Sequence, residues 1–471
     1  MGPDQKRTTI LLSLGGAASV ILATFLTLRM PEYMTYLVGA IALIVIFAFA
    51  RISAARIGIT AVVVMIAIPL IPGLQEARSP QFIAYFAALL ALFASAVSLA
   101  HRRATRIGAA WWCLLVPIAL SAVSLGLINP DPVRIIFGGV IGGLLGVGVA
   151  VGRISTRTET RRIVMGITAI GILAALVACV EYAMQRPLYE FTAFQSSLNT
   201  RAAFRSSAVF GHPLVLAVSM LTVAFMNITR PRVSGPWWFK QRLVTVALPL
   251  IGAAASVSRS AIVILAVGLI VVVIARMDSD VPQFRRGFSV LIALASGAAI
   301  FFAIADPGGA FAQRFGDLSS AEQSVRLSAF DVAAHVSAGS PIIGRGPRSV
   351  GDLFQQGDPS VRFGTLDNQF ATAFADFGFI GLIGLILLAL TLISAVRSRK
   401  IGSWSRALAI GGFAPLMAMF FLDPLPWPSI GILFALSVGA ALNRSADITS
   451  GEAAPSPSPG MGRLAASATK R

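Results

Sequence analysis

The chain has little of what most enzymes place at their sites. Of 471 residues only 12% are charged, three are histidine, two are cysteine and 20 are acidic. Cys113 and Cys179 both lie in apolar runs, which excludes a disulfide framework or a cysteine-rich metal site. The stretches expected to face outward hold no Asp-x-Asp pair and no carboxylate cluster of the kind that binds Mg²⁺. A Walker-type phosphate loop is missing too, so no metal and no cofactor is expected. Lysine is nearly absent among the 38 basic residues, so positive charge here is guanidinium charge. Internal repeats of the kind that mark inverted-repeat transporters are not visible by eye.

What is there is apolar. Hydrophobic residues make up 56% of the chain and the mean hydropathy is +0.81, the range of polytopic membrane proteins rather than soluble ones. A spanning helix needs about 20 apolar residues. On that template spans are expected near 10–28, 34–50, 57–71, 81–99, 109–128, 134–151, 162–183, 211–229, 243–257, 261–275, 288–305, 370–396, 407–421 and 429–443. The expected fold class is therefore an all-α polytopic integral membrane protein of about 14 transmembrane helices (12–14), with one long extracytoplasmic loop. Lys6-Arg7 before the first apolar run imitates a secretory signal, but the run is long and lacks a clear cleavage site, so it is taken as a first span.

The net charge of +18 would point to nucleic acid in a soluble protein. Here the basic residues sit in alternate connections, as in Arg51/Arg56, Arg102/Arg103/Arg106, Arg153/Arg157/Arg161/Arg162, Arg230/Arg232/Lys240/Arg242, Arg276/Arg285/Arg286 and Arg397/Arg399/Lys400/Arg406. That is the enrichment of cytoplasmic loops in Lys and Arg. The partner it implies is the lipid bilayer, and no nucleic acid. It sets both termini on the cytoplasmic side and the polar stretch 306–368 outside. One step carries that result. Residues 243–275 read as a single helix would be about 50 Å long at 1.5 Å per residue, against a hydrocarbon core of about 30 Å. Two short helices meeting at Ser258-Arg259-Ser260 fit better.

The tail from Ser445, rich in Ser, Ala, Pro and Gly, lacks the apolar residues to fold. Four segments follow: N-terminal membrane helices over 1–204, a core over 205–395 that includes the loop 306–368, C-terminal membrane helices over 396–443, and a disordered cytoplasmic tail over 444–471. Loops as long as 306–368 inside compact proteins are usually functional or disordered.

The informative charges break the positive-inside pattern. Arg186, Arg201, Arg205, Arg259, Arg314, Arg326, Arg345, Arg348 and Arg362 are expected on the outer side, and all are arginine. The planar guanidinium fork binds phosphate bidentately and stays charged, which suits a diphosphate. The plainer reading is that arginine is simply this chain's base. Arg259 stands apart, because a charge between apolar runs at membrane depth is costly and functional by default. Outer carboxylates and histidines are few: Asp367 and Asp376 at the start of the span near 370–396, Glu181 near the end of 162–183, and His212 opening 211–229. Any of these can take a proton from an acceptor hydroxyl. Asp367 could instead be a helix N-cap, and His212-Pro213 a helix start. His335 falls on an expected amphipathic helix over Ala321–Ala338 and reads as a surface residue. GRGPRS at 344–349 is a turn-prone stretch that could meet an anion.

With these residues laid out, the chain resembles the O-antigen ligase and polysaccharide polymerase superfamily. RSSAVFGHPLVLA (205–217) resembles its Gly-His-Pro opening of a span. SVSRSAIVILAV (256–267) resembles its Ser-Arg turn between two short helices. SVRLSAFDVAAH followed by SPIIGRGPRSV resembles its loop helix and Gly-x-Gly segment, and LDNQFATAFADFGFIGLIGL (366–385) its entry into the next span. The resemblance covers about 205–395. It implies transfer or polymerisation of glycan from a polyprenyl-diphosphate carrier onto a hydroxyl of a glycan or lipid-linked acceptor, outside the cytoplasmic membrane, with inversion and without a metal. The arginines that hold the diphosphate in the family match Arg259 and Arg326; Arg205, Arg345 and Arg348 are further candidates. Where the family has His-Asn, with histidine the proposed base, this chain has Asp367-Asn368. Either Asp367 is the base, or His212 is, or the chemistry differs. A multi-span transporter or permease, and a degenerate non-catalytic scaffold, are the alternatives.

Overall fold

A computed structural model of the chain describes residues 145–188 (except 147 and 154), 204–231, 238–277, 328–358, 361, 366–398 and 401–443 (except 424 and 426). The spans expected near 10–28, 34–50, 57–71, 81–99, 109–128 and 288–305, most of 134–151 and the tail lie outside the described residues.

Among the described residues the chain is helical, with no strand. The helices are α1 (Arg157–Met184), α2 (Pro213–Thr229), α3 (Trp238–Ala255), α4 (Arg259–Met277), α5 (Ala329–Ser337), α6 (Ser349–Gln355), α7 (Gln369–Arg397), α8 (Ser403–Gly411), α9 (Phe413–Ala418) and α10 (Pro428–Ala441), with a 3₁₀ turn at Ala208–Phe210. Residues 148–153 are also helical. α1 opens on a capping box, in which Thr156 and Glu159 satisfy each other's backbone N–H groups. α1 and α7 each offer a 28-residue apolar stretch; the unbroken α1 is about 42 Å long at 1.5 Å per residue, enough to cross a bilayer. Pro213–Thr229, Arg259–Ala275 and Ser429–Ala441 are shorter apolar helices.

The core is built around α2. Its residues Pro213–Asn227 are buried on every side, which a helix apolar all round requires, and it packs against α1, α3, α4, α8, α9 and α10. By contrast α7 buries one stripe, including Leu385 and Leu392, against α4, α8 and α10. It leaves Ile383, Leu387, Leu390 and Ile393 half exposed or more. An apolar face of that kind suits hydrocarbon.

The expected break in 243–275 is present: α3 ends at Ala255 and α4 begins at Arg259. Val257 between them has φ 46°, a left-handed residue that reverses the chain. The stretch expected as one span near 407–421 is instead two short helices divided at Gly412. Gly411-Gly412 disfavours continuation, and Pro415, which has no N–H to give, sits comfortably in the first turn of α9. The helix expected over Ala321–Ala338 is α5, Ala329–Ser337; residues 321–327 lie outside the described set.

α7 is itself broken. Gly378 has φ 62° and ψ −158°, outside helical geometry, and the segment 341–346 fills the gap. In an unbroken helix Phe379 N–H would donate to Ala375 O, and Ile380 N–H to Asp376 O. Here Phe379 N–H donates to Pro341 O (2.9 Å) and Ile380 N–H to Ile342 O (3.2 Å), while Arg345 N–H donates to Ala375 O (3.1 Å) and Gly346 N–H to Asp376 O (2.9 Å). Two helical hydrogen bonds are exchanged for four loop bonds, and the four helix groups that lose their helical partners all gain new ones. The backbones come close enough that a Cβ on Gly378 would lie 2.4 Å from the Ile342 carbonyl.

Candidate functional site

The ends of α1, α2, α3, α4, α7, α9 and α10 that the sequence assigns to the outer face meet in one place. The organiser is Glu181, fully buried near the end of α1. Its Oε2 accepts from Ser206 Oγ (2.6 Å) and Ala208 N–H (2.8 Å), and its Oε1 accepts from Leu188 N–H (3.0 Å). Three donors on one carboxylate fix the irregular segment 204–212. Glu181 is thereby occupied as a staple rather than placed as a base.

That segment carries two candidates. Ser206 N–H donates to Ala255 O (3.1 Å) and Arg205 Nε donates to Ser256 O (3.3 Å), which puts Arg205 against the turn three residues before Arg259. Arg259 is half-buried between the buried Ser258 and Ser260 and opens α4 with no acid in its first turn. A cation at the positive end of a helix dipole works against that helix. The position suits an anion brought from elsewhere, which would meet guanidinium and dipole together.

His212 is the N-cap of α2: its Nδ1 accepts from Leu214 N–H (3.2 Å). In that bond Nδ1 has no proton, so the neutral ring carries its proton on Nε2 and presents a donor. The helix-start reading of His212-Pro213 therefore holds. The ring lies 5.4 Å from that of Trp427, which precedes α10, and Arg205 acts on it electrostatically.

At the start of α7 the cap is Asn368, whose Oδ1 accepts from Phe370 and Ala371 N–H (3.0 and 3.1 Å). The capping role suggested for Asp367 thus falls to its neighbour. Asp367 itself is half-buried with φ 46°, a strained conformation for a non-glycine residue and one concentrated at functional sites. Asp376, 6% exposed, accepts from Ser349 Oγ (2.7 Å), Ser349 N–H and Arg348 N–H (both 3.2 Å). It anchors the loop to α7. Arg345 and Arg348 are exposed on that loop, and their backbone N–H groups make the contacts to α7. Arg326 lies outside the described residues. His335 is exposed and lies 4.0 Å from Asp358, at the surface as expected.

One carboxyl was missed. Asp423, in the connection between α9 and α10, faces Thr372 and Gln369 through hydrogen bonds and Asp376 and Asp367 electrostatically. Its Oδ1 is sealed from solvent and accepts no hydrogen bond. Burial, then the Asp376 charge and that of Asp367, push its pKa up to about 8. The available signal was an acid inside FLDPLPWP, an otherwise apolar connection at the outer ends of two spans.

Comparison with curated proteins returns no match. The family model described as O-antigen ligase matches residues 244–386, the stretch that holds the α3–α4 turn with Arg259, the loop, and the broken helix with Asp367. Glu181, Arg205, His212 and Asp423 lie beyond it. The match covers less than a third of the chain, and it makes that stretch similar to the O-antigen ligase family.

Proposed function

We propose that the protein transfers or polymerises glycan from a polyprenyl-diphosphate carrier onto an acceptor hydroxyl at the outer face of the cytoplasmic membrane. The observation that carries this reading is the convergence of Arg205, Arg259, His212 and Asp367 at one end of the helical body. The carrier's tail would lie along the apolar helices. Its diphosphate would meet Arg259 at the start of α4 together with Arg205, joined by Arg326 and by the loop residues Arg345 and Arg348.

In the transfer step the acceptor oxygen bonds to the sugar's anomeric carbon as the bond from that carbon to phosphate breaks. The hydroxyl proton passes to a base, and the carrier leaves as the diphosphate anion. Guanidinium groups fixed before the reaction stabilise the charge that develops on the departing phosphate. Asp367 is the assigned base, since its carboxyl is not used as the helix cap. His212, with its proton on Nε2, serves better as a hydrogen-bond donor to the diphosphate or the acceptor than as a base.

Arg259→Ala tests the reading. Transfer from polyprenyl-diphosphate-linked glycan in membranes should fall by on the order of 10²-fold or more, with the protein inserted and abundant. Undiminished transfer would remove Arg259 from the site. Substrate flux into proteoliposomes without glycan product would establish the transporter instead.

A further inference from the structure

The break at Gly378 divides α7 into two parts of different chemistry. Of the 28 residues Gln369–Val396, those up to Gly378 include the polar Gln369 and the charged Asp376. About 18 remain beyond it, about 27 Å at 1.5 Å per residue, which matches a hydrocarbon core of about 30 Å. No residue from Phe379 to Val396 is charged, and Arg397, Arg399 and Lys400 follow directly, the pattern of a span that ends at the cytoplasmic surface. The hydroxyls of this part are closed on the helix itself. Thr391 Oγ1 donates to Leu387 O and Ser394 Oγ to Thr391 O (both 2.8 Å), as hydroxyls facing lipid require.

Gly378 therefore stands at the hydrocarbon edge, on the side that the charge pattern assigns as outer. A helix broken there needs partners for its backbone groups, because lipid offers none, and the segment 341–346 supplies them. It brings side chains with it. Ile342 O accepts from Ile380 N–H (3.2 Å), so Ile342 sits at the head of the exposed stripe that runs through Phe379, Ile383, Leu387, Leu390 and Ile393. Ile342 is 63% exposed and Phe379 52%, two large apolar side chains continuous with a lipid-facing surface. Arg345 N–H donates to Ala375 O (3.1 Å), across the break from Ile380 and about 7 Å farther out at 1.5 Å per residue. The polar layer of a bilayer is about 5–7 Å deep on each side. The exposed Arg345 is thus level with the lipid phosphates.

We propose that the clasp between 341–346 and α7 is seated in the outer leaflet, with Ile342 and Phe379 among the acyl chains at the hydrocarbon edge and Arg345 among the headgroup phosphates. The occupant of this surface is the bilayer. Three observations favour lipid over a second copy of the chain: the length of the unbroken part of α7, the continuity of Ile342 with its exposed stripe, and the height of a guanidinium suited to phosphate. Such a seat fixes the depth of the loop whatever the site transfers. It goes beyond the glycosyl-transfer reading and stands without it.

Nitroxide labels on single cysteines test the proposal, in the full chain with Cys113→Ser and Cys179→Ser, in vesicles of phosphatidylethanolamine and phosphatidylglycerol. Each label is relaxed by oxygen, which concentrates in hydrocarbon, and by a water-soluble nickel chelate, which is kept out of it. Leu387→Cys on the stripe and Gln355→Cys, exposed on α6, set the two limits. Ile342→Cys and Phe379→Cys should be relaxed more by oxygen than by nickel, close to Leu387→Cys. Arg345→Cys should fall between them and Gln355→Cys. An Ile342→Cys label as open to nickel as that of Gln355→Cys overturns the proposal. So does one shielded from both reagents, which would mean that protein, a second copy included, covers the surface. If Ile342→Cys does not accumulate, Phe379→Cys decides by the same criterion. An Arg345→Cys label that matches Gln355→Cys overturns the headgroup contact.

Discussion

The two ends of the helical body put their polar groups to different use. At the end where α2 finishes and α3 starts, the guanidinium groups are absorbed by the protein. Arg230 donates to Thr245 Oγ1 (3.3 Å) and contacts Met165 Sδ (3.4 Å), Arg242 donates to Ile228 O, Arg406 donates to Ser398 O, and Arg161 lies 5.8 Å from the centre of the Trp404 ring. Asn227 bonds Thr168 there (2.9 Å) and Asn443 bonds Ser155 O (2.7 Å). At the opposite end an acid, Glu181, is spent on holding a segment that carries Arg205 and His212, and Arg259 heads a helix whose dipole it opposes. The first arrangement closes helix ends and anchors the body. The second gathers positive charge against the needs of its helices, which makes sense where a negatively charged ligand completes it.

The comparison can be broken by experiment. The largest effect is expected from Gly378→Ala, which adds a Cβ 2.4 Å from the Ile342 carbonyl to a residue with φ 62°. About 3 kcal/mol or more should be lost, seen as proteolytic cutting within 328–358 and collapse of transfer, with α1 to α4 still folded. Glu181→Gln should follow. An amide turns a donor toward groups that donate, leaving at least one N–H or O–H unsatisfied at about 2 kcal/mol. The melting temperature should fall, and transfer should fall further than stability because Arg205 and His212 are released. The smallest effect belongs to the other end: Arg230→Ala removes a neutral-partner bond worth about 1 kcal/mol. It should leave transfer per folded molecule unchanged. Equal losses of transfer in Glu181→Gln and Arg230→Ala, once scaled to folded protein, would erase the distinction between the ends.

Much of this was legible in the sequence because membrane spans are written in composition and length. The break at Ser258-Arg259-Ser260 followed from arithmetic on helix length, and the candidate residues Arg205, Arg259, His212 and Asp367 from polar groups set against apolar runs. The division at Gly412 was hidden, since a run of apolar residues reads as one span whether or not it turns. The break at Gly378 was hidden for a stronger reason: it exists because 341–346 supplies four hydrogen bonds from outside the helix, and no local pattern carries that. Roles were less legible than positions. Glu181, Asp376 and Asp367 look alike as outer carboxylates, and only the hydrogen bonds accepted by Glu181 and Asp376 identify these two as a staple and an anchor. Asp423 escaped because its partners Gln369 and Thr372 are both more than fifty residues away in the chain.

The exchange of backbone bonds at Gly378 also has a consequence for how the loop can vary. It closes a noncovalent ring between Gly346 and Asp376, and everything between hangs from that clasp. For a flexible ring, doubling the chain inside costs only about 0.6 kcal/mol of closure entropy. The clasp itself consists of backbone groups and two glycines, Gly344 and Gly378, that tolerate no side chain. Length can therefore change between α6 and Asp367 while residues 341–349 and 366–380 stay fixed, so acceptors of different size could be served by lengthening one segment without reopening the helix that holds the site.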